Sequence, residues 1–336
     1  MSNAASPSTL ARGRRRVGLF VGLGILVVLA AAVAIWQWSA KAKAHFVEYP
    51  MLEPRDVPTA IAASPDGSVW FTIDFANAIG RVRDGRLERF AEEGTNGAPV
   101  GIAAAADGSA WYTDAPAGQV TRISPTGELA SVALGTALSR IGQIAVAADG
   151  SVWFTEASAY SVTRLKDGKF ERHAIDSIRG APLGIALGPD GVVWVTLQAA
   201  NQLLRVAPDG GMQTFDIPTR GSSPGDIAVA ADGTVWFLEF RGNKIGRFAD
   251  GRFEEFPAGE ESAGLTGLAL APDCAVWAGM LRKGSLARLK DGKLQEFRLP
   301  REDARPYSLA VDPEGNVWYT DIRGFVGMLP AEEARR

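Results

Sequence analysis

Residues 147–157 read AADGSVWFTEA, and close variants of that phrase recur along the chain: ASPDGSVWFTID from Ala63, AAADGSAWYTDA from Ala104, AADGTVWFLEF from Ala230 and VDPEGNVWYTDI from Val311. Aligned on tryptophan, the phrase marks Trp70, Trp111, Trp153, Trp194, Trp236, Trp277 and Trp318, at steps of 41 or 42 residues. A period of about 40–45 residues with several short strands per unit is the signature of a β-propeller, one blade per repeat. The expected fold is therefore all-β: a seven-bladed β-propeller of four-stranded blades over residues 45–330.

Each unit reads as four strands. A short alternating run such as Gly184-Ile185-Ala186-Leu187 makes the innermost strand, and an Asp-Gly pair such as Asp66-Gly67 predicts a tight hairpin with positive φ angles. Blade six departs with Asp273-Cys274, which predicts strain or a wider turn. The alternation of Val-Trp-Phe-Thr puts Val69 and Phe71 on one face and Trp70 and Thr72 on the other, with the indoles expected to wedge between blades. A third strand such as Lys244-Ile245-Gly246-Arg247 ends in a second Asp-Gly turn, and an outer strand such as Arg252–Pro257 closes the blade. Blade seven runs out of chain at Val326–Pro330. His45–Pro50 matches the outer-strand phrase and should complete that blade, removing an open sheet edge.

The N-terminus has a different composition. A basic segment, 1–16, carries Arg12, Arg14, Arg15 and Arg16, and the uncharged run Val17–Trp36 that follows is 20 residues long. That is about the length of a helix crossing a hydrocarbon core, so 17–38 is expected to be a transmembrane anchor, with a cleaved signal segment as the alternative, followed by a linker at 39–44. The arginines favour a cytoplasmic start, which places the propeller in the periplasm. Residues 331–336 read as a tail. Residues 1–44 hold six of the 35 basic residues and no acid, so the remainder has 29 basic and 38 acidic residues, about −9. That sign argues against nucleic acid as a partner. Cys274 is the only cysteine and supplies no internal disulfide. The chain is expected to be a monomer.

The phrase running from Pro224 through Trp236, Glu239, Asn243, Ile245-Gly246-Arg247 and Asp250-Gly251 resembles the repeat of the streptogramin B lyase (virginiamycin B lyase) family, and the likeness spans 45–330. The resemblance implies metal-assisted elimination at an ester bond of a cyclic depsipeptide, with catalytic histidines in a Pro-His-x-Ile phrase opening the last two blades. Here those places hold Thr266 and Tyr307; Arg305 replaces a neighbouring glutamate, and only the acid Asp321 survives. Thr266, Tyr307, Arg305 and Asp321 are the catalytic candidates. The chain's two histidines, His45 and His173, fall on outer strands at the rim.

Features shared by every blade serve the blade, so function is expected where blades differ, around the mouth at which the innermost strands begin. Candidate ligand-binding residues are Asp114, Arg140, Glu156, Asp226, Glu239, Arg241, Tyr307 and Asp321. Several acids three residues after a tryptophan could hold a divalent cation, Mg or Ca, with Glu156, Glu239 and Asp321 as ligands; singly, each would cap a loop. Three functions compete: a small-molecule, peptide or glycan binder tethered at the membrane, a metal-assisted lyase or hydrolase of a cyclic ester or lactone, and a protein-interaction scaffold.

Overall fold

The computed structural model describes residues 44–91, 97–135, 140–176 and 180–336. The basic segment and the span expected at 17–38 lie outside the described residues. Among those described, no helix is long and apolar enough to cross a membrane.

His45–Arg336 forms one compact unit of seven four-stranded antiparallel sheets. Blades one to six each take four consecutive strands. Blade seven is assembled from Pro306–Val311, Val317–Asp321 and Phe325–Leu329, with Val47–Pro50 added at its outer edge. The closing register pairs Glu48 with Gly327 and Tyr49 with Val326. Tyr49 stacks on Trp318 at 5.9 Å between ring centroids, and Phe46 meets Tyr319 edge-on at 6.0 Å. Arg301 fastens the seam: its Nε lies 3.2 Å from Glu48 and its Nη2 2.5 Å from Asp321, while the Tyr319 hydroxyl donates to Glu48 at 2.9 Å. Residues 331–336 fold back, with a short helix at Ala331–Ala334 whose first amide donates to Asn316.

The tryptophans lie between blades. Trp70 packs with Ile102, Tyr112 and Ile123 of blade two, Trp194 with Ile227, Val235 and Phe237 of blade five, and Trp318 with Ile61, Val69 and Phe71 of blade one. Each buried indole removes about 150–250 Å² from water, worth roughly 4–6 kcal/mol before entropic costs. The Ile-Gly-Arg phrase serves the same contact. Arg81 and Arg247 stand opposite Trp70 and Trp236 in register, with guanidinium carbons 4.7 and 5.9 Å from the ring centroids. At Gly246 the Phe237 ring occupies the space a Cβ would need.

Threonines two residues past the tryptophan staple the ring. The hydroxyls of Thr113, Thr155, Thr196 and Thr320 donate to the carbonyls of Gly142, Leu183, Gly225 and Thr59 in the next blade, at 2.6–3.2 Å. Blade six has Gly279 at that position, and Thr266 supplies the bond instead, to Pro306 at 2.9 Å.

The two Asp-Gly turns differ. In the second turn of blades one, three, five and six both residues have positive φ, as at Asp84 (49°) and Gly85 (71°), giving the expected two-residue hairpin. In the first turn only the glycine does. Gly67 closes a turn onto the Ser64 carbonyl, and Asp66 accepts the Ser68 amide, so the aspartate supports the loop with its side chain rather than with a positive φ. Cys274 keeps this turn at its normal width, its amide 2.9 Å from the Ala271 carbonyl, but at φ 63° where six glycines stand in the other blades. Cβ crowding at that φ costs about 1 kcal/mol. Cys274→Gly is accordingly expected to raise stability by about 0.5–1 kcal/mol, seen as a Tm increase of about 1–2 °C in calorimetry.

Candidate functional site

The innermost strands converge on a cavity of about 400 Å³ to which all seven blades contribute. Each innermost strand carries a register irregularity just after its opening residue, as between Pro224 and Ile227. In every blade at least one of the two residues at this irregularity reaches the mouth. Thr59, Val100, Leu183, Thr266 and Tyr307 come from the first of these positions, and Ala60, Gln143, Gly184, Asp226, Gly267 and Ser308 from the second. Pro99 and Leu265, which open their strands, and Asp74 and Phe240, both four residues after a tryptophan, complete the lining. Gly225 is what admits Phe240, whose ring lies where a Cβ of residue 225 would stand.

The predicted residues divide. Asp226, Thr266 and Tyr307 line the cavity. Tyr307 is 45% exposed, and Asp226 accepts the amides of Ile227 (3.0 Å) and, across the blade boundary, Leu268 (2.8 Å). Burial pushes the Asp226 carboxyl up to about 6. The Tyr307 hydroxyl is held above the usual phenol range, by burial first and then by the charges of Asp74 and Asp226. Thr266 faces the mouth, but its hydroxyl proton is committed to the Pro306 carbonyl.

The acids three residues after the tryptophans do not face the mouth. An odd offset puts them on the Val/Phe side of the second strand, the side packed against the preceding blade, and all four are buried. Asp114 caps a loop by accepting the Ala98 and Ala117 amides at 3.2 and 3.1 Å. Glu156 accepts from Thr163 and from Nε and Nη2 of Arg172, both at 2.9 Å. Asp321 takes Arg301 and the Arg305 and Arg323 amides. Glu156, Glu239 and Asp321 thus sit in three separate blades, and among the described residues no group of three His, Cys, Asp or Glu side chains is placed to hold a metal ion.

Glu239 differs from its counterparts. The strand positions that give Glu156 its Thr163 and Arg172 hold Gly246 and Glu255 in blade five. Neither carboxylate oxygen of Glu239 meets a hydrogen-bond partner among the described residues. Burial first, and the Glu255 charge second, push its carboxyl up to about 7. Glu255 itself is held by Lys244 at 2.6 Å and by Thr219. Arg140 and Arg241 are exposed loop residues beyond the cavity lining, and Arg305 donates its guanidinium to the Ala304 carbonyl. His173 stacks on Trp153 at 5.3 Å, and His45 is exposed on the closing segment; neither lines the mouth.

Sequence reasoning missed Phe240 and Gln143 as lining residues. The offset of four from tryptophan, next to glycine at 225, was the signal for Phe240.

Comparison with known proteins agrees with this architecture. The model of the virginiamycin B lyase family matches residues 39–177 and 127–333. A virginiamycin B lyase of Nocardia farcinica is 37% identical over 207 residues, covering 61% of this chain and 71% of the relative. A catalytically inactive histidine-to-alanine variant of virginiamycin B lyase from Staphylococcus aureus, solved with quinupristin, superposes with a TM-score of 0.80 at 26% identity, covering 84% of this chain and 98% of that one. A streptogramin B lyase structure gives 0.81 at 25% identity, covering 84% and 96%. With its seven tryptophan-centred blades and most of its length matched by the family model, the chain belongs to the virginiamycin B lyase family.

Proposed function

We propose that this propeller binds a small organic molecule, or a peptide or glycan fragment, in its mouth, and that it does so without the histidine-based elimination implied by its family. The observation that carries this reading is the cavity itself: about 400 Å³, contributed by every blade, with Tyr307 presented where the family resemblance places a histidine. A volume in the range of ordinary ligand pockets, apolar walls and a few convergent polar groups are what a binding site requires. The basic and apolar segments before Ala44 support a membrane tether that holds the propeller on the periplasmic side, which protease protection in intact spheroplasts would check.

Quinupristin, the compound named with the staphylococcal relative, is a suitable first probe. Saturable binding to this chain is expected in calorimetry, weakened about tenfold by Tyr307→Ala or Phe240→Ala through loss of aromatic contact area. Chromatography after incubation with magnesium is expected to recover the intact ring, because a phenol well above neutral pKa and a threonine are poor bases for proton abstraction at pH 7. A linearised product formed at the rate of an authentic lyase would overturn the claim that elimination is absent, and binding unaffected by both variants would overturn the mouth as the site.

A further inference from the structure

The mouth is electrostatically one-sided. Asp74 from blade one and Asp226 from blade five are its two charged groups, and no lysine, arginine or histidine is among the residues lining it. Asp74 accepts only the adjacent Phe75 amide among the described hydrogen bonds, leaving its other oxygen available. Asp226 is held in place by two backbone amides, one from the neighbouring blade, so its carboxylate is fixed rather than free to turn into solvent. Between them stands Tyr307, half-exposed, whose phenol responds to both charges. Phe240, Leu183 and Val100 supply apolar wall elsewhere in the cavity.

Two carboxylates beside an exposed aromatic ring select a cation. The carboxylates supply charge in a partly desolvated cleft, where field lines are focused. The ring face supplies a quadrupole that attracts an ammonium but not an alcohol or a carboxylate. An anionic ligand would meet two like charges with nothing to offset them. Building on the mouth-binding reading above, we infer that the ligand carries an alkylammonium group that sits among Asp74, Asp226 and Tyr307, with an aromatic or aliphatic body laid against Phe240 and Leu183.

The test compares three near-isosteric probes on the full chain by calorimetry and saturation-transfer NMR: 3-phenylpropylamine, 3-phenylpropanol and 3-phenylpropionate. The amine is expected to bind about tenfold more tightly than the alcohol, and the carboxylate not to bind at millimolar concentration. Asp74→Asn is the primary variant, because that side chain supports only its own loop; it is expected to weaken the amine at least fivefold and leave the alcohol unchanged. Asp226→Asn should act in the same sense, and Asp74→Asn keeps the test decisive if the Asp226 variant fails to fold. If the alcohol or the carboxylate binds as tightly as the amine, and Tyr307→Ala abolishes that binding, the cation inference is wrong while the mouth remains the site. If the amine fails to bind and quinupristin binds, the inference is again wrong. If neither amine nor quinupristin binds, the mouth-binding reading falls with it.

Discussion

Replacing Glu239 by glutamine is expected to leave stability near pH 4 unchanged and to raise it above pH 7 by up to about 3 kcal/mol. The buried carboxyl of the parent is pushed up to about 7 from an ordinary value of 4.5. Below pH 4.5 the group is protonated in both folded and unfolded chains and contributes no pH dependence. Between about 4.5 and 7 the unfolded chain ionises while the folded chain holds its proton, so stability falls by up to about 1.4 kcal/mol per pH unit. Above 7 the loss is complete. Glutamine has no proton to hold and abolishes this slope. Glu255→Arg, which copies the Arg172 of blade three, should also flatten it by giving Glu239 a countercharge. Thermal melts of the three proteins from pH 4 to 8 supply the comparison, and parallel curves would show that Glu239 is neutralised in some other way.

The second large effect concerns the seam of blade seven. A chain starting at Met51 is expected to be less stable than one starting at Lys41 by about 5 kcal/mol, a Tm loss on the order of 10 °C. Truncation removes four residues of sheet pairing, the Tyr49–Trp318 stack and the Phe46–Tyr319 contact. It also strips Glu48 from Arg301 and from the Tyr319 hydroxyl, leaving polar groups without partners, at about 1–3 kcal/mol each. The exposed edge of Phe325–Leu329 would then be open to pairing with other chains. Equal melting temperatures would mean the closing strand contributes nothing to stability.

The fold was legible because one residue type is both large and periodic: seven tryptophans at 41- or 42-residue steps leave little choice but blades. The closing strand was legible for a related reason, since blade seven lacked an outer strand and His45–Pro50 matched its pattern. The site was half legible. Tyr307, Thr266 and Asp226 were reachable by asking which residues open each blade. The acids were placed on the wrong face because the strand end was treated as if it pointed at the mouth. Strand alternation, already applied to Val69 and Phe71, also assigns the residue three after tryptophan to the interblade cleft, while the next residue, Asp74 or Phe240, reaches the mouth. What the sequence could not convey is which side of each blade is closed by its neighbour. That depends on how adjacent blades pack, and it is why Glu156 finds an arginine while Glu239 finds another acid.

The pairing of Val47–Pro50 with Phe325–Leu329 has a consequence for how the molecule is made. Its partners are separated by almost the whole length of the ring, so among the described strand pairings this one has the longest sequence separation and the largest loop-closure entropy. During synthesis the first strand emerges with nothing to pair with, and it stays unpaired until the last blade has been delivered. A chain cut short anywhere before Phe325 cannot close, however well its earlier blades form. Ring closure is therefore a test of completeness: only a full-length product reaches the protected state, and truncated ones keep two exposed edges that mark them for aggregation or proteolysis.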